Sequence, residues 1–202
     1  MTEHGGEWII QRFGPHDYGS NAYLLVNGKE AAIIDAGGAV EEMDQAIAHL
    51  GVRIKYLLLT HGSGAFAEAT SLLKKRHGGK VCIHAMDQEE LEALGHPLEA
   101  DLFLKDNDRL ELQGALVAVL HTPGHTYGSL SFYVKNAGAL FSGMALLKGG
   151  YGRIWGPDSM RLMMMSLRRL NNVIPPKATV YPGEGPVTWI AKESWLNCLR
   201  SA

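Results

Sequence analysis

The fold of this chain is decided by the stretch His121-Thr122-Pro123-Gly124-His125-Thr126-Tyr127-Gly128-Ser129. It lies between two apolar segments, Ala115–Leu120 and Ser129–Val134, and both are predicted as strands. Proline and glycine in a short polar segment indicate a tight loop. An imidazole in such a loop can bind a metal ion or accept a proton. The stretch therefore predicts that a strand ends in a functional loop with His125 at its centre.

Three further loops also follow apolar strands directly. They are Thr60-His61-Gly62-Ser63 after Ile54–Leu59, Gly143-Met144 after Ala139–Phe141, and Pro182-Gly183-Glu184-Gly185-Pro186 after Ala178–Tyr181. Ligands of layered α/β proteins usually bind beyond the carboxyl ends of strands. We therefore expect His61, His125 and Glu184 to converge. Two imidazoles and a carboxylate suit a divalent zinc, iron or manganese ion.

The composition is that of a folded globular protein. Hydrophobic residues make up 46% of the 202 residues and charged residues 20%, values that exclude disorder of the whole chain. The length and the lack of a linker-like segment predict a single domain over residues 1–202. A net charge of −2 argues against nucleic acid as a partner.

The sequence also carries expectations about location. No apolar run approaches the ~18 residues that span a bilayer, so we expect no membrane partner. The segment Met1–Glu7 has no basic stretch followed by an apolar one, so no signal peptide is predicted. Cys82 and Cys198 are expected to be free thiols in a reducing compartment. Together these features predict a cytoplasmic protein.

Strands and helices alternate along the chain. Asn27-Gly28 between apolar runs predicts a type I′ hairpin turn, in which both central residues have positive φ. Asp87 and Glu90 are predicted to cap a short helix that ends near Gly95, and Thr188–Leu199 is predicted as a final helix. Strand runs interleaved with helices predict a layered α/β or α+β fold.

The order of the motifs resembles that of the metallo-β-lactamase superfamily, and within it the short glyoxalase II-like (hydroxyacylglutathione hydrolase-like) branch. Besides residues 121–129, the resemblance rests on Asn21-Ala22-Tyr23-Leu24-Leu25, Ile33-Ile34-Asp35-Ala36-Gly37, Leu59-Thr60-His61, Leu140-Phe141-Ser142-Gly143 and Tyr181-Pro182-Gly183. It implies an α+β fold, a four-layer αββα sandwich with the active site at one edge of its two sheets. It also implies a two-metal centre that hydrolyses thioesters or related acyl esters.

The ligand positions of that family are largely replaced here. The family's His-x-His-x-Asp-His motif reads His61-Gly62-Ser63-Gly64-Ala65-Phe66, so only its first histidine is kept. His125 matches the histidine that follows Thr-Pro-Gly. Met144 stands where the metal-bridging aspartate is expected, and Glu184 stands in place of the final histidine.

These replacements remove the donor atoms of a two-metal centre. Two-metal hydrolysis needs ligands that hold the cations roughly 3.5–4 Å apart and a bound water whose pKa falls to about 7. Ala65 and Phe66 carry no lone pair, and the thioether of Met144 is a poor substitute for a carboxylate. The sequence therefore predicts that the binuclear centre is largely lost.

Three hypotheses follow for the function of the altered site. The first is a non-hydrolytic protein that binds a small molecule or a partner in a pocket made more apolar by the replacements. The second is a hydrolase of thioesters or acyl esters with at most one divalent metal ion, held by His61, His125 and Glu184. Without a metal, the same histidines would hydrogen-bond Glu184 and loop backbone. The third is a metal-free hydrolase with Ser63 as nucleophile and either histidine as base.

Several other side chains are assigned to the surroundings of the site. Asp35 resembles the family's aspartate that supports the metal ligands without touching the metal; a turn residue before Gly37-Gly38 is the alternative. The pocket is expected to be lined by Phe66, Met144, Tyr127 and Arg153. An exposed row of methionines on the helix predicted at Asp158–Asn171 would favour a homo-oligomer.

Overall fold

The computed structural model describes residues 8–16 and 19–199, which form two six-stranded sheets and four α-helices. The first sheet contains, in spatial order, β1 (Trp8–Phe13), β2 (Ala22–Asn27), β3 (Glu30–Ile34), β4 (Arg53–Leu58), β5 (Lys80–Ile83) and β6 (Leu102–Phe103). The second contains β7 (Arg109–Leu112), β8 (Ala115–His121), β9 (Leu130–Val134), β10 (Ala139–Gly143), β11 (Thr179–Pro182) and β12 (Thr188–Trp189), also side by side in this order. The helices are α1 (Val40–Leu50), α2 (Gly64–His77), α3 (Ala85–Ala93) and α4 (Pro157–Val173).

Three apolar clusters join these elements into four layers. The first cluster packs α1 and α2 on the first sheet through Met43, Leu73 and their neighbours. The second lies between the two sheets, where the rings of Tyr23 and Phe141 meet edge to face with centroids 5.3 Å apart. The third packs α4 on the second sheet through Leu167 and Leu170. This arrangement confirms the predicted αββα sandwich.

Strand β3 explains why the central strands are apolar throughout. Ala31 and Ile33 face the helices and belong to the first cluster, whereas Ala32 and Ile34 face the other sheet and belong to the second. Alternate side chains of a strand point to opposite faces, so a strand covered on both faces needs apolar residues at every position.

Parallel pairing brings the functional loops to one edge of the sandwich. Strands β3, β4 and β5 are parallel neighbours in the first sheet, and β10 and β11 are parallel neighbours in the second. The two sheets are joined at this edge because Leu130 N donates to Thr60 O at 2.7 Å. Gly183 N donates to Gly143 O at 2.8 Å, which holds the ends of β10 and β11 together.

Two local predictions need correction. Asn27 pairs with Glu30, so the central residues of the hairpin turn are Gly28 and Lys29, and only Gly28 has a positive φ, at 58°. A type I′ turn would need positive φ at both. The cap of α3 is His84, whose Nδ1 accepts from Met86 N at 3.3 Å, and not Asp87. Asp87 lies within the helix and its carboxylate has other partners.

The predicted helix Thr188–Leu199 is also wrong. Thr188 and Trp189 form the short strand β12 against β11, and two stretches of 3₁₀-helix follow, at Ile190–Lys192 and Ser194–Leu199. The buried carboxylate of Glu193 accounts for the break, because it accepts hydrogen bonds from Thr188 Oγ1 at 2.6 Å and Trp195 Nε1 at 2.8 Å. These bonds fold the segment back on itself.

The remaining global expectations concern thiols and membranes. Cys82 is buried and Cys198 is exposed, and both are free thiols, as predicted. Within the described ranges, no helix has the length and apolar character needed to cross a bilayer.

Candidate functional site

The structure brings His61 and His125 together at the edge where the strands end. His61 lies three residues beyond β4 and is buried, and His125 lies half-buried in the loop between β8 and β9. Their ring centroids are 5.0 Å apart and the rings are nearly perpendicular. Two imidazoles from different sheets therefore share one site.

A short hydrogen-bond chain orients His61. Asp35 accepts from Thr60 N at 2.8 Å and from Thr60 Oγ1 at 2.6 Å. The same hydroxyl lies 3.0 Å from His61 Nδ1. Because Thr60 has only one hydroxyl proton, its oxygen accepts from Nδ1–H of His61 when Asp35 is ionised. The lone pair of the imidazole is then on Nε2.

The backbone conformation at Asp35 directs its carboxylate toward Thr60. Asp35 follows β3 with a φ of 53°, a left-handed conformation that aspartate tolerates better than most residues. The close approach also requires glycine at position 143, because a Cβ there would lie 2.6 Å from Thr60 Oγ1. The interpretation of Asp35 as a mere turn residue misses these contacts.

Burial sets the protonation states of Asp35 and His61, the two ends of this hydrogen-bond chain. It raises the pKa of Asp35 to about 7, partly offset by the hydrogen bonds from Thr60. It lowers the pKa of His61 to about 3, with a further lowering by nearby His125. His61 is therefore a neutral imidazole at physiological pH.

The second histidine is oriented by backbone. His125 Nδ1 lies 3.1 Å from the carbonyl oxygen of Arg153. A carbonyl only accepts, so Nδ1 of His125 carries the proton and Nε2 carries the lone pair. Trp155 Nε1 donates to His125 O at 2.8 Å and fixes the loop from the other side. When Asp35 is ionised, both neutral imidazoles thus carry their lone pair on Nε2.

A buried carboxylate, Asp87, holds the two histidine loops together. It is 1% exposed. Its Oδ2 accepts from Gly62 N and from Thr126 Oγ1, both at 2.7 Å, and its Oδ1 accepts from Gly128 N at 2.8 Å. Gly62 adjoins His61, and residues 126 and 128 flank the end of the His125 loop. Asp87 therefore connects β4, α3 and the β8–β9 loop.

The donor set around the two histidines does not fit a two-metal centre. In residues 8–16 and 19–199, no group of three or more His, Cys, Asp or Glu side chains is placed to hold a metal ion. The structure therefore does not join Glu184 to the histidine pair. The backbone of Glu184 instead forms an isolated bridge with Ser20.

An apolar side chain packs beside His61, and two further replaced positions lie elsewhere. The ring of Phe66 is 5% exposed and meets His61 edge to face at a centroid distance of 5.0 Å. A Cβ on Gly37 would lie 2.6 Å from the same ring, so the ring packs directly on backbone. Met144 is also buried, and its carbonyl accepts from Gly152 N at 2.7 Å. Ala65 is exposed in the first turn of α2.

Ser63 is the residue that precedes α2. Its backbone is extended, and its hydroxyl makes no capping hydrogen bond to the helix. The Nδ1 atoms of His61 and His125 are engaged by Thr60 and Arg153 instead. Among the described residues, no hydrogen bond joins Ser63 to either imidazole.

A cavity of about 630 Å³ opens beside His125. Its lining comprises Gly62, Glu90, Leu94, Gly124, His125, Thr126, Tyr127, Trp155, Gly156, Pro157, Asp158, Ser159 and Leu162. Most of these residues come from the C-terminal part of α3, the β8–β9 loop and the segment that begins α4, and Gly62 comes from the loop after β4. The cavity is large enough for a small organic molecule.

The predicted pocket residues divide between this cavity and the core. Tyr127 lines the cavity, and Phe66 and Met144 are buried outside its lining. Arg153 is exposed and stacks on the ring of Trp155, with the guanidinium carbon 4.0 Å from the ring centroid.

Sequence reasoning missed Thr60 and Asp87 as functional neighbours. An acidic residue in the first turn of a helix is favoured by the helix dipole, so Asp87 has no distinguishing signal in the sequence. Thr60 adjoins His61, and its position directly after a buried strand is the signal that could have found it.

Comparisons with known proteins agree with the fold and with the order of the motifs. The model of the Metallo-beta-lactamase superfamily matches residues 17–185. Hydroxyacylglutathione hydrolase GloC of Haemophilus influenzae is 31% identical over 184 residues, which cover 84% of this chain and 86% of that protein. The probable metallo-hydrolase YqgX of Bacillus subtilis is 28% identical over 208 residues, covering 95% and 96%.

Solved structures give the same result. BLEG-1 B3 metallo-beta-lactamase superposes with a TM-score of 0.82 at 27% identity, covering 96% of this chain and all of the other. TTHA1623, solved in a di-iron-bound form, superposes with a TM-score of 0.74 at 28% identity, covering 92% and 96%.

Proposed function

This chain belongs to the metallo-β-lactamase superfamily, and from that premise we propose that it has lost two-metal hydrolysis and binds a small organic molecule instead. The binding site in this proposal is the cavity beside His125. The proposal keeps the expected cytoplasmic location and needs neither nucleic acid nor membrane as a partner.

The observation that carries the proposal is the donor set beside the histidine pair. The two imidazole rings lie 5.0 Å apart, and Phe66, rather than a further ligand, packs against His61. Stable metal sites in proteins commonly use three or four protein ligands. Two imidazoles alone are a poor site, and no carboxylate among residues 8–16 and 19–199 is placed with them to bridge a second cation to the first.

The cavity supports ligand binding rather than simple loss of function. Its wall includes two large aromatic side chains that stay exposed, Tyr127 at 57% and Trp155 at 61%. Exposed aromatic groups around a cavity are typical of ligand sites. His125 belongs to the same lining, so the cavity adjoins the altered centre directly.

A second candidate is a hydrolase of thioesters or acyl esters with at most one zinc, iron or manganese ion. The support for it is that both histidines are oriented through Nδ1 and present Nε2, the usual preparation of a metal-binding imidazole. Its weak point is Glu184, which does not join the pair. No observation favours the third candidate, a Ser63 nucleophile.

Hydrolysis assays distinguish the two candidates. The full chain, purified without chelator, is tested against acyl-thioesters, including hydroxyacylglutathione thioesters, with and without added zinc, iron(II) or manganese(II). We expect no turnover above that of a His125→Ala variant under any of these conditions. Turnover that EDTA abolishes, zinc restores and His125→Ala lacks would refute the proposal in favour of the second candidate.

A further inference from the structure

We infer that the cavity beside His125 takes a small organic cation, an ammonium group carried on an aromatic or apolar body. This inference rests on the proposed ligand-binding function and adds the chemical class of the ligand. The walls of the cavity, the anchoring of Trp155 and the charge of the lining carry it.

The walls are aromatic and aliphatic. Tyr127 and Trp155 contribute two exposed rings, and Leu94, 67% exposed, and Leu162 contribute aliphatic surface. Burying such surface under a ligand gains roughly 25 cal/mol per Å². The faces of aromatic rings also carry partial negative charge, which attracts cations.

Trp155 is exposed yet anchored. Its Nε1 donates to His125 O at 2.8 Å, and its backbone N donates to Ser159 Oγ at 3.2 Å. Because the indole N–H is already bonded and the guanidinium of Arg153 covers one face of the ring, the ring offers a ligand apolar surface and the π-electrons of its other face rather than a donor. A side chain fixed before binding loses little entropy when the ligand arrives.

The charge of the lining is acidic. Among the residues that the structure describes, its carboxylates are Glu90, on α3, and Asp158, at the start of α4, and neither lysine nor arginine lines it. Arg161 lies 3.9 Å from Asp158, but both side chains are largely exposed, so solvent screens this pair. Arg153 stacks on Trp155 and is not part of the lining.

These features select for a positive ligand. The two carboxylates are exposed and therefore screened by solvent, but they still attract an ammonium group and repel a carboxylate, and the aromatic rings act in the same direction. The aliphatic surface of Leu94 and Leu162 accommodates the apolar body. A neutral molecule of the same shape keeps the apolar contacts but loses the charge attraction.

Three probes with one phenyl body and different charges test the inference. They are phenethylamine, 2-phenylethanol and 3-phenylpropionate, titrated into the full chain by isothermal titration calorimetry. The indole N–H signal of Trp155 in NMR spectra, assigned with Trp155→Phe, reports on the site. We expect phenethylamine to bind about five-fold more tightly than the alcohol, and 3-phenylpropionate to bind most weakly.

Variants separate charge from packing. Glu90→Gln is expected to weaken phenethylamine about two- to three-fold and to leave the alcohol unchanged. Trp155→Leu should weaken both. Glu89→Gln, which removes an exposed carboxylate from the same helix outside the lining, should change neither. Unchanged thermal unfolding confirms that each variant is folded.

Equal affinity for the three probes, tightest binding of 3-phenylpropionate, or no binding by any probe would overturn the inference. Thioester turnover would refute the non-hydrolytic function and leave this ranking unaffected. Tightest binding of 3-phenylpropionate and weakest binding of phenethylamine would refute the ligand class and would leave the proposed loss of hydrolysis unaffected. The two failures are therefore distinguishable.

Discussion

Replacing Asp87 by asparagine tests whether one buried carboxylate holds both histidine loops in place. The carboxylate accepts three hydrogen bonds, from Gly62 N, Thr126 Oγ1 and Gly128 N. An asparagine has one acceptor oxygen, so its NH₂ group must face a backbone N–H of one loop or the other. At least one of the two backbone N–H groups, of Gly62 or of Gly128, then loses its partner.

The expected cost follows from these contacts. A hydrogen bond to a charged group contributes about 1.5–3 kcal/mol, and an unsatisfied buried donor costs about 1–3 kcal/mol. The carboxylate of Asp87 is almost fully buried, so solvent cannot replace the lost bonds. We therefore expect Asp87→Asn to lower the free energy of unfolding by about 3–5 kcal/mol.

Urea unfolding followed by circular dichroism measures this loss. Glu89→Gln is the matched control, because Glu89 is an exposed acid on the same helix, and its replacement should change the free energy by less than about 0.5 kcal/mol. NMR shifts of the Gly62 and Gly128 amides should change in Asp87→Asn and not in the control. A loss below about 1 kcal/mol, with both amides unmoved, would refute the assigned role.

Two further variants probe the altered centre. The pKa of Asp35 is raised to about 7, so the folded state keeps a proton that the unfolded chain releases near pH 4. The contribution of Asp35 to the stability of the folded protein therefore falls as pH rises from about 4 to about 7. The lowered pKa of His61, about 3, acts in the opposite direction, because the unfolded chain binds the proton first as pH falls. Asp35→Asn removes this contribution. Between about pH 4.5 and about pH 6.5 we therefore expect the free energy of unfolding of the variant to change by about 2 kcal/mol more favourably than that of the unaltered protein, and Tm measured across this range should show the difference. Parallel pH dependences of the two proteins would contradict the assignment. Phe66→Ala should lower the free energy of unfolding by about 3–5 kcal/mol, since the buried ring packs on His61 and on backbone. Phe103→Ala, at a position 59% exposed, should change it by less than about 0.5 kcal/mol, and equal losses in urea unfolding would show that Phe66 is not core.

The layers of the fold could be predicted because the central strands are apolar on both faces. Strand β3 alternates between two clusters, and only a sheet covered on both sides requires this. The end of the chain could not be predicted in the same way. The periodicity of residues 188–199 is compatible with a helix, and the bonds that break it converge on the single buried carboxylate of Glu193.

The candidate site, like the fold, could be predicted from the sequence only in part. His61 and His125 stand in recognisable motifs after strands, so their proximity follows from the topology. The cavity could not be predicted in this way, because its lining comes from the loop after β4, the end of α3, the β8–β9 loop and the start of α4, which are far apart in the sequence. The spacing of Asp87 and Glu90 indicates a helix cap, and the actual role of Asp87 is hidden because its three partners lie far away in the sequence, at positions 62, 126 and 128.

The metal content of the protein as isolated from cells tests the central claim most directly. Native mass spectrometry of the full chain, purified without chelator and measured again after incubation with zinc, iron(II) or manganese(II), counts the ions bound per chain. We predict at most one bound ion per chain. A Glu184→Gln variant should bind the same number of ions as the unaltered protein. Two ions per chain, both lost in a His61→Ala variant, would contradict the loss of the binuclear centre.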